Sequence, residues 1–130
     1  MSRDGSFPAE EVFNTNYFGV RRVCEAFGDR VQSKIVNMGS AGGANFIARQ
    51  NEKDSIRNKL AEPWTLKDID ELDDIANQLA ANEDHSKSSY QASKACVHAL
   101  TYLLARKVYP NLIVNAVTPG WIVTDMTRGR

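Results

Sequence analysis

Two short apolar runs with a long helical pattern between them constrain this chain more than any other feature. Lys34-Ile35-Val36-Asn37-Met38 and Leu112-Ile113-Val114-Asn115-Ala116-Val117 are of strand length, rich in β-branched residues and bounded by turn formers. The second is almost continuously apolar, the pattern of a buried strand in a parallel sheet. Parallel neighbours need a crossover, and the segment from Ser88 to about Val108 supplies one. Tyr90, Lys94, Val97, His98, Thr101 and Leu104 fall along one helical stripe there. Ser88-Ser89 caps the start of this helix and Tyr109-Pro110 ends it, because proline cannot continue the hydrogen-bond ladder. Strand, helix, strand is a βαβ crossover, right-handed by the general rule. Ligands of open parallel sheets sit outside the carboxyl ends of strands. Ser40 follows the first run and Pro119-Gly120 the second, so both strand ends should face one crevice.

The remainder reads mainly as helix and loop. From about Ala9 to Phe27, Val12, Phe13, Asn16, Tyr17, Val20, Val23, Cys24 and Phe27 recur at helical spacing, and Gly28-Asp29 ends the pattern. Gly42-Gly43 and the polar stretch after them read as loop. Between about Ala44 and Ser88, Leu66, Ile69, Leu72, Ile75, Ala76 and Leu79 mark an amphipathic helix, with Thr65 and Asp68 as a capping-box-like start. A shorter helix near Ser55 to Leu60 would stop before Pro63.

The length of 130 residues suits one domain. Sixteen acids balance sixteen bases, so no net field draws the chain to nucleic acid or to an anionic membrane. No apolar run approaches the ~18 residues of a membrane span, and the opening lacks the basic segment and apolar core of a secretory leader. Cys24 and Cys96 each lie within a helical pattern and read as free thiols of a reducing compartment, which places the protein in the cytoplasm. His85 and His98 are the only histidines, and without a Cys/His cluster at ligand spacing no zinc site is expected.

The chemistry concentrates in Ser89-Tyr90-Gln91-Ala92-Ser93-Lys94. A Tyr and a Lys four residues apart share a helix face. A cation beside a phenol favours the phenolate, which lowers the Tyr pKa from about 10 and makes a proton donor usable near neutrality. With Val36-Asn37-Met38-Gly39-Ser40 before it and Pro119-Gly120-Trp121-Ile122-Val123-Thr124-Asp125 after it, the order resembles the C-terminal half of a short-chain dehydrogenase/reductase. The resemblance runs from about Glu10 to Arg128. It implies part of a Rossmann-type doubly wound parallel α/β sheet, the C-terminal βαβ portion, with a helical insert over residues 44–88. The family holds its dinucleotide on a glycine-rich turn after its first strand, and no such pattern follows Met1 to Pro8. Residues 1–130 thus read as the C-terminal part of the domain, without its dinucleotide-binding half.

The resemblance also implies roles. Tyr90 would protonate a carbonyl oxygen, and Lys94 would tune Tyr90 and hold the nicotinamide ribose hydroxyls. The Ser40 hydroxyl either closes a turn or bonds the substrate carbonyl oxygen, stabilising charge that develops there. Asn16, in Asn14-Thr15-Asn16-Tyr17-Phe18-Gly19, would hold a water linked to the lysine; a mid-helix asparagine has poor propensity. Pro119, Gly120, Trp121, Ile122 and Thr124 would meet the nicotinamide end of the cofactor, and Thr124-Asp125 also suits a helix N-cap. The 49 residues between Ser40 and Tyr90 resemble the carbonyl reductase branch, in which an extra helical segment covers the dimer surface. The function implied is NAD(P)H-dependent reduction of a ketone, aldehyde or quinone. NADPH is the implied cofactor with NADH left open, a small carbonyl compound the partner, and a monomer the state of the full-length form. The other reading is a truncated, non-catalytic chain or interaction module that cannot hold the dinucleotide and folds poorly alone.

Overall fold

The computed structural model describes residues 7–49, 54–82, 88–120 and 122–124. Two strands, β1 (Lys34–Met38) and β2 (Ile113–Val117), pair in parallel with Lys34 opposite Ile113 and Met38 opposite Val117. The ladder continues one step further, where the Gly39 N–H donates to the Val117 carbonyl at 2.8 Å. The two carboxyl ends therefore lie side by side.

The first helix is continuous in direction but changes pitch. α1 (Ala9–Phe13) leads into a π-helical turn over Asn14–Phe18, and α2 (Gly19–Phe27) follows. Arg22 braces the wide turn, donating to the Asn14 carbonyl and to its side-chain oxygen, each at 3.1 Å. Such π turns recur at functional sites because they re-aim the side chains they carry. A 3-10 turn at Gly28–Arg30 then closes the helix at the expected glycine.

α6 (Ser89–Val108) is the axis of the molecule. Ala92, Ala95, Cys96, Val97, Ala99, Leu100 and Leu103 on it are buried in one core with Phe13, Tyr17, Phe46, Leu60, Leu66, Leu72, Ile75 and Leu79. α5 (Ile69–Ala81) packs along it and carries Leu72, Ile75, Ala76 and Leu79 into that core. Polar contacts clamp the same region. Buried Tyr17 donates its hydroxyl to Asp73 at 2.7 Å, and Arg21 Nε pairs with the other Asp73 oxygen at 2.7 Å. Arg106 near the end of α6 donates to the Leu66 and Lys67 carbonyls, and Lys59 of α4 (Ser55–Ala61) pairs with Glu71.

Three local expectations need correction. The stretch after Gly42-Gly43 is not a loop: Ala41–Arg49 forms a helix, α3, because Phe46 buries its ring in the core and the two glycines let α3 lie against α6. The β-carbon of an alanine at 43 would meet the Ala95 nitrogen at 2.8 Å and the Lys94 carbonyl carbon at 2.9 Å. The α5 cap is not Thr65 paired with Asp68. Asp68 itself is the N-cap and accepts the Glu71 N–H at 3.0 Å, while Thr65 donates its hydroxyl to the Glu62 carbonyl. The near-continuous apolar run of β2 is buried only at Val114, with Ile113 and Val117 exposed. α6 covers one face of the strand pair, and among the described residues nothing covers the other. A groove of about 570 Å³ runs between α2 and β1, lined by Val20, Val23, Phe27, Ile35 and Met38 among others.

β1 also carries a buried polar residue. Asn37 donates to Thr101 Oγ1 at 2.9 Å, and Thr101 donates onward to the Val97 carbonyl at 2.8 Å. An asparagine has poor strand propensity, but here it fastens the strand to α6 without leaving a buried amide unpaired. No described helix is long and apolar enough to cross a membrane.

Candidate active site

The strand ends and the first turns of α6 bring the expected groups together. Lys94 is buried on the sheet side of α6, and its ammonium donates to the Met38 carbonyl, the last of β1, at 2.9 Å. Burial lowers its pKa from the ordinary lysine value. One turn earlier, Tyr90 is 46% exposed, and Lys94 Nζ stands 5.9 Å from the centroid of its ring. The four-residue spacing thus gives what the helix repeat dictates: an accessible phenol with a cation held beside it.

Ser40 lies at the junction of β1 and α3. Its Oγ accepts the Gly42 N–H at 3.1 Å and its carbonyl accepts the Gly43 N–H at 3.0 Å, so the turn-closing reading of this hydroxyl holds. Accepting that bond leaves the hydroxyl's own proton for donation elsewhere. A β-carbon placed on Gly42 would lie 3.3 Å from Ser40 Oγ and 3.7 Å from Tyr90 Cε1, so the serine hydroxyl and the phenol ring flank one small space.

Asn16 sits in the π turn, half-buried, and donates from its amide to Ser93 Oγ at 3.2 Å. Ser93 in turn donates to the Tyr90 carbonyl at 2.8 Å. The asparagine therefore joins the first turn of α6 through Ser93, a mid-helix serine that sequence reasoning passed over. Its chemical signal was present: a serine inside a helix bonds back to a carbonyl of the preceding turn.

At the second strand end, Pro119, Gly120, Ile122 and Thr124 are all exposed. Gly120 adopts φ +76°, which favours glycine, and a β-carbon there would meet nothing within 4 Å. Trp121 and Asp125 lie outside the described residues, and with Asp125 the expected N-cap. The register ends with Met38 opposite Val117, and the Gly39 N–H bonds the Val117 carbonyl, so this turn leaves the sheet at the same end as Ser40.

One group was missed. His98, one turn after Lys94, accepts the Ser40 N–H on its Nε2 at 3.2 Å. Burial, and next the positive charge of Lys94, lower its pKa. The available signal was its place on the Tyr90–Lys94 stripe, four residues from the lysine.

The described residues thus form a parallel βαβ unit with a Tyr–Lys pair on its crossover helix and a serine at the end of its first strand. Comparison with known proteins supplies the family. The family model for short chain dehydrogenase matches residues 74–130. The chain is 31% identical to Carbonyl reductase [NADPH] 3 of Mus musculus, over 92% of this chain and 47% of that protein. It is 32% identical to Short-chain dehydrogenase/reductase 1 of Saponaria officinalis, over 91% of this chain and 42% of that protein. The solved structure of salutaridine reductase from Papaver somniferum matches with a TM-score of 0.72 at 29% identity, covering 86% of this chain and 41% of that one. The chain belongs with the short-chain dehydrogenases/reductases and shares part of their Rossmann-like α/β fold. It spans about half the length of the curated relatives it matches.

Proposed function

We propose that this chain carries the proton-transfer half of an NADPH-dependent carbonyl reductase site. The observation that supports the reading best is the placement of Lys94: a buried ammonium anchored on the Met38 carbonyl, 5.9 Å from the ring of an accessible Tyr90, with Ser40 Oγ flanking the same space. The names of two relatives, a carbonyl reductase marked for NADPH and a salutaridine reductase, add the reaction class.

The donor set suits a nicotinamide riboside end. Lys94 has three N–H donors, one of them engaged by Met38, and Pro119, Gly120 and Thr124, after β2, are exposed. Lys94 would hold the ribose hydroxyls; Pro119, Gly120, Ile122 and Thr124 would meet the carboxamide side, a role the resemblance also gives Trp121, which lies outside the described residues. A nicotinamide cofactor held by these residues would supply the hydride. Tyr90 gives its hydroxyl proton to the carbonyl oxygen, so ketone, aldehyde or quinone becomes alcohol or hydroquinone. Ser40 donates its hydroxyl to the same oxygen and stabilises the charge gathering there, an effect commonly worth several kcal/mol, of order 3. Asn16, through Ser93, would keep the first turn of α6 in place and hold a water on the proton's path. Packing of α5 over α6 supports a monomer, and the site itself calls for a small-molecule partner.

Steady-state reduction of a model quinone by NADPH, read with calorimetric titration of NADPH, tests the proposal. Tyr90→Phe should bind NADPH as before and lose more than nine tenths of the rate; retention of more than a tenth refutes the proton-donor role. A chain that binds no NADPH and reduces nothing would instead favour the non-catalytic reading, to which the uncovered face of the strand pair lends weight.

A further inference from the structure

Three consecutive residues at the end of β1 are each held by a different partner. The Met38 carbonyl takes the Lys94 ammonium, the Gly39 N–H goes to Val117, and the Ser40 N–H goes to His98 Nε2. The last of these is a side chain, and it titrates. An imidazole that accepts on Nε2 is neutral, with its proton on Nδ1. The ring is fitted closely: a β-carbon on Gly39 would meet His98 Nε2 at 2.5 Å, and one on Gly43 would meet His98 Cε1 at 3.0 Å. Two glycines therefore make the slot this ring occupies.

We propose that His98 is a positioning residue for Ser40, its neutral Nε2 holding the Ser40 peptide so that the serine hydroxyl faces the space beside Tyr90. The inference rests on the reading of Ser40 as the group that bonds the substrate oxygen. Protonating His98 turns the acceptor into a donor facing an N–H, which breaks the contact and frees the turn. Lys94 is the charged group that acts on the ring, from one turn earlier on α6. Tyr90 and Tyr102 lie on the same helix two turns before and one turn after. The turn residues Gly39, Ser40, Gly42 and Gly43 and strand β2 present no titratable side chain, while Lys34 and Arg49 stand at the far ends of β1 and α3. Burial and Lys94 both disfavour the charged ring, so the contact persists at neutral pH and is lost only below the ordinary histidine value of about 6.5. The unfolded chain takes up that proton more readily, so stability also falls as pH falls through this window.

Nuclear magnetic resonance of the isotope-labelled full chain tests this without turnover or cofactor. The Ser40 amide resonance should move with the His98 ring as pH falls, both with one midpoint below about 6.5. In His98→Asn, whose side-chain oxygen can still accept, the Ser40 amide should stay protected and lose its titration. In His98→Leu the Ser40 amide should exchange with solvent on the order of tenfold faster, the loss of one net hydrogen bond. A Ser40 amide that ignores His98 protonation, or is equally protected in His98→Leu, overturns the proposal. So does a His98 titrating at the ordinary value, which is also what an unfolded chain would give. Coupled titration in a catalytically inert chain would leave this inference standing while the reductase reading fails, and an active chain without coupling would do the reverse.

Discussion

Substituting Gly43 by alanine sets two effects of known size against each other. Gly43 lies within α3, where alanine is favoured over glycine by up to ~1 kcal/mol. The added methyl, however, would stand 2.8 Å from the Ala95 nitrogen and 2.9 Å from the Lys94 carbonyl carbon, with His98 Cε1 at 3.0 Å. The first two are backbone atoms of α6, the most deeply buried helix, so they yield only if α3 and α6 part. Overpacking of this kind costs ~1–3 kcal/mol. Since the clash is with backbone, the upper part of that range applies and the clash wins, with a net loss of up to ~2 kcal/mol after the full propensity gain, which for a domain of this size lowers the melting temperature by up to ~10 °C. Gly28→Ala is the control: nothing lies within 4 Å of its β-carbon and its φ of −52° suits any residue. That variant should be neutral or up to ~1 kcal/mol more stable. Thermal unfolding followed by circular dichroism, with both variants beside the unmodified protein, decides the matter. A Gly43→Ala protein that melts at or above the unmodified one would refute the argument from close approach.

Tyr17→Phe removes a buried hydroxyl's bond to the Asp73 carboxylate and leaves Arg21 as that carboxylate's partner, so denaturant titration should show a loss of ~1.5–3 kcal/mol. Because α5 packs along α6, we expect light scattering of a full-length form to give a monomer; a stable tetramer would show that the insert leaves the helix face free.

Where local chemistry decides, the chain could be read directly. Both strands, the crossover helix and its Tyr90–Lys94 pair follow from apolar spacing and the helix repeat, and those are properties of neighbours in sequence. That the two strands end side by side was legible for a similar reason: a parallel pair joined by one crossover puts its carboxyl ends together. Tertiary structure decided the rest. Gly42-Gly43 signals a loop by local propensity, yet α3 packs on α6 so closely at Gly43 that only a bare backbone fits there. The α5 cap is an exception that local chemistry does settle, since Asp68 with Glu71 three residues on fits the capping-box spacing better than Thr65 with Asp68. Asn16 reaches Ser93, and His98 reaches the Ser40 peptide, across 77 and 58 residues of chain. Contacts of that span depend on where α1, β1 and α6 come to lie, and hydrogen bonds between distant segments leave no periodic trace in sequence.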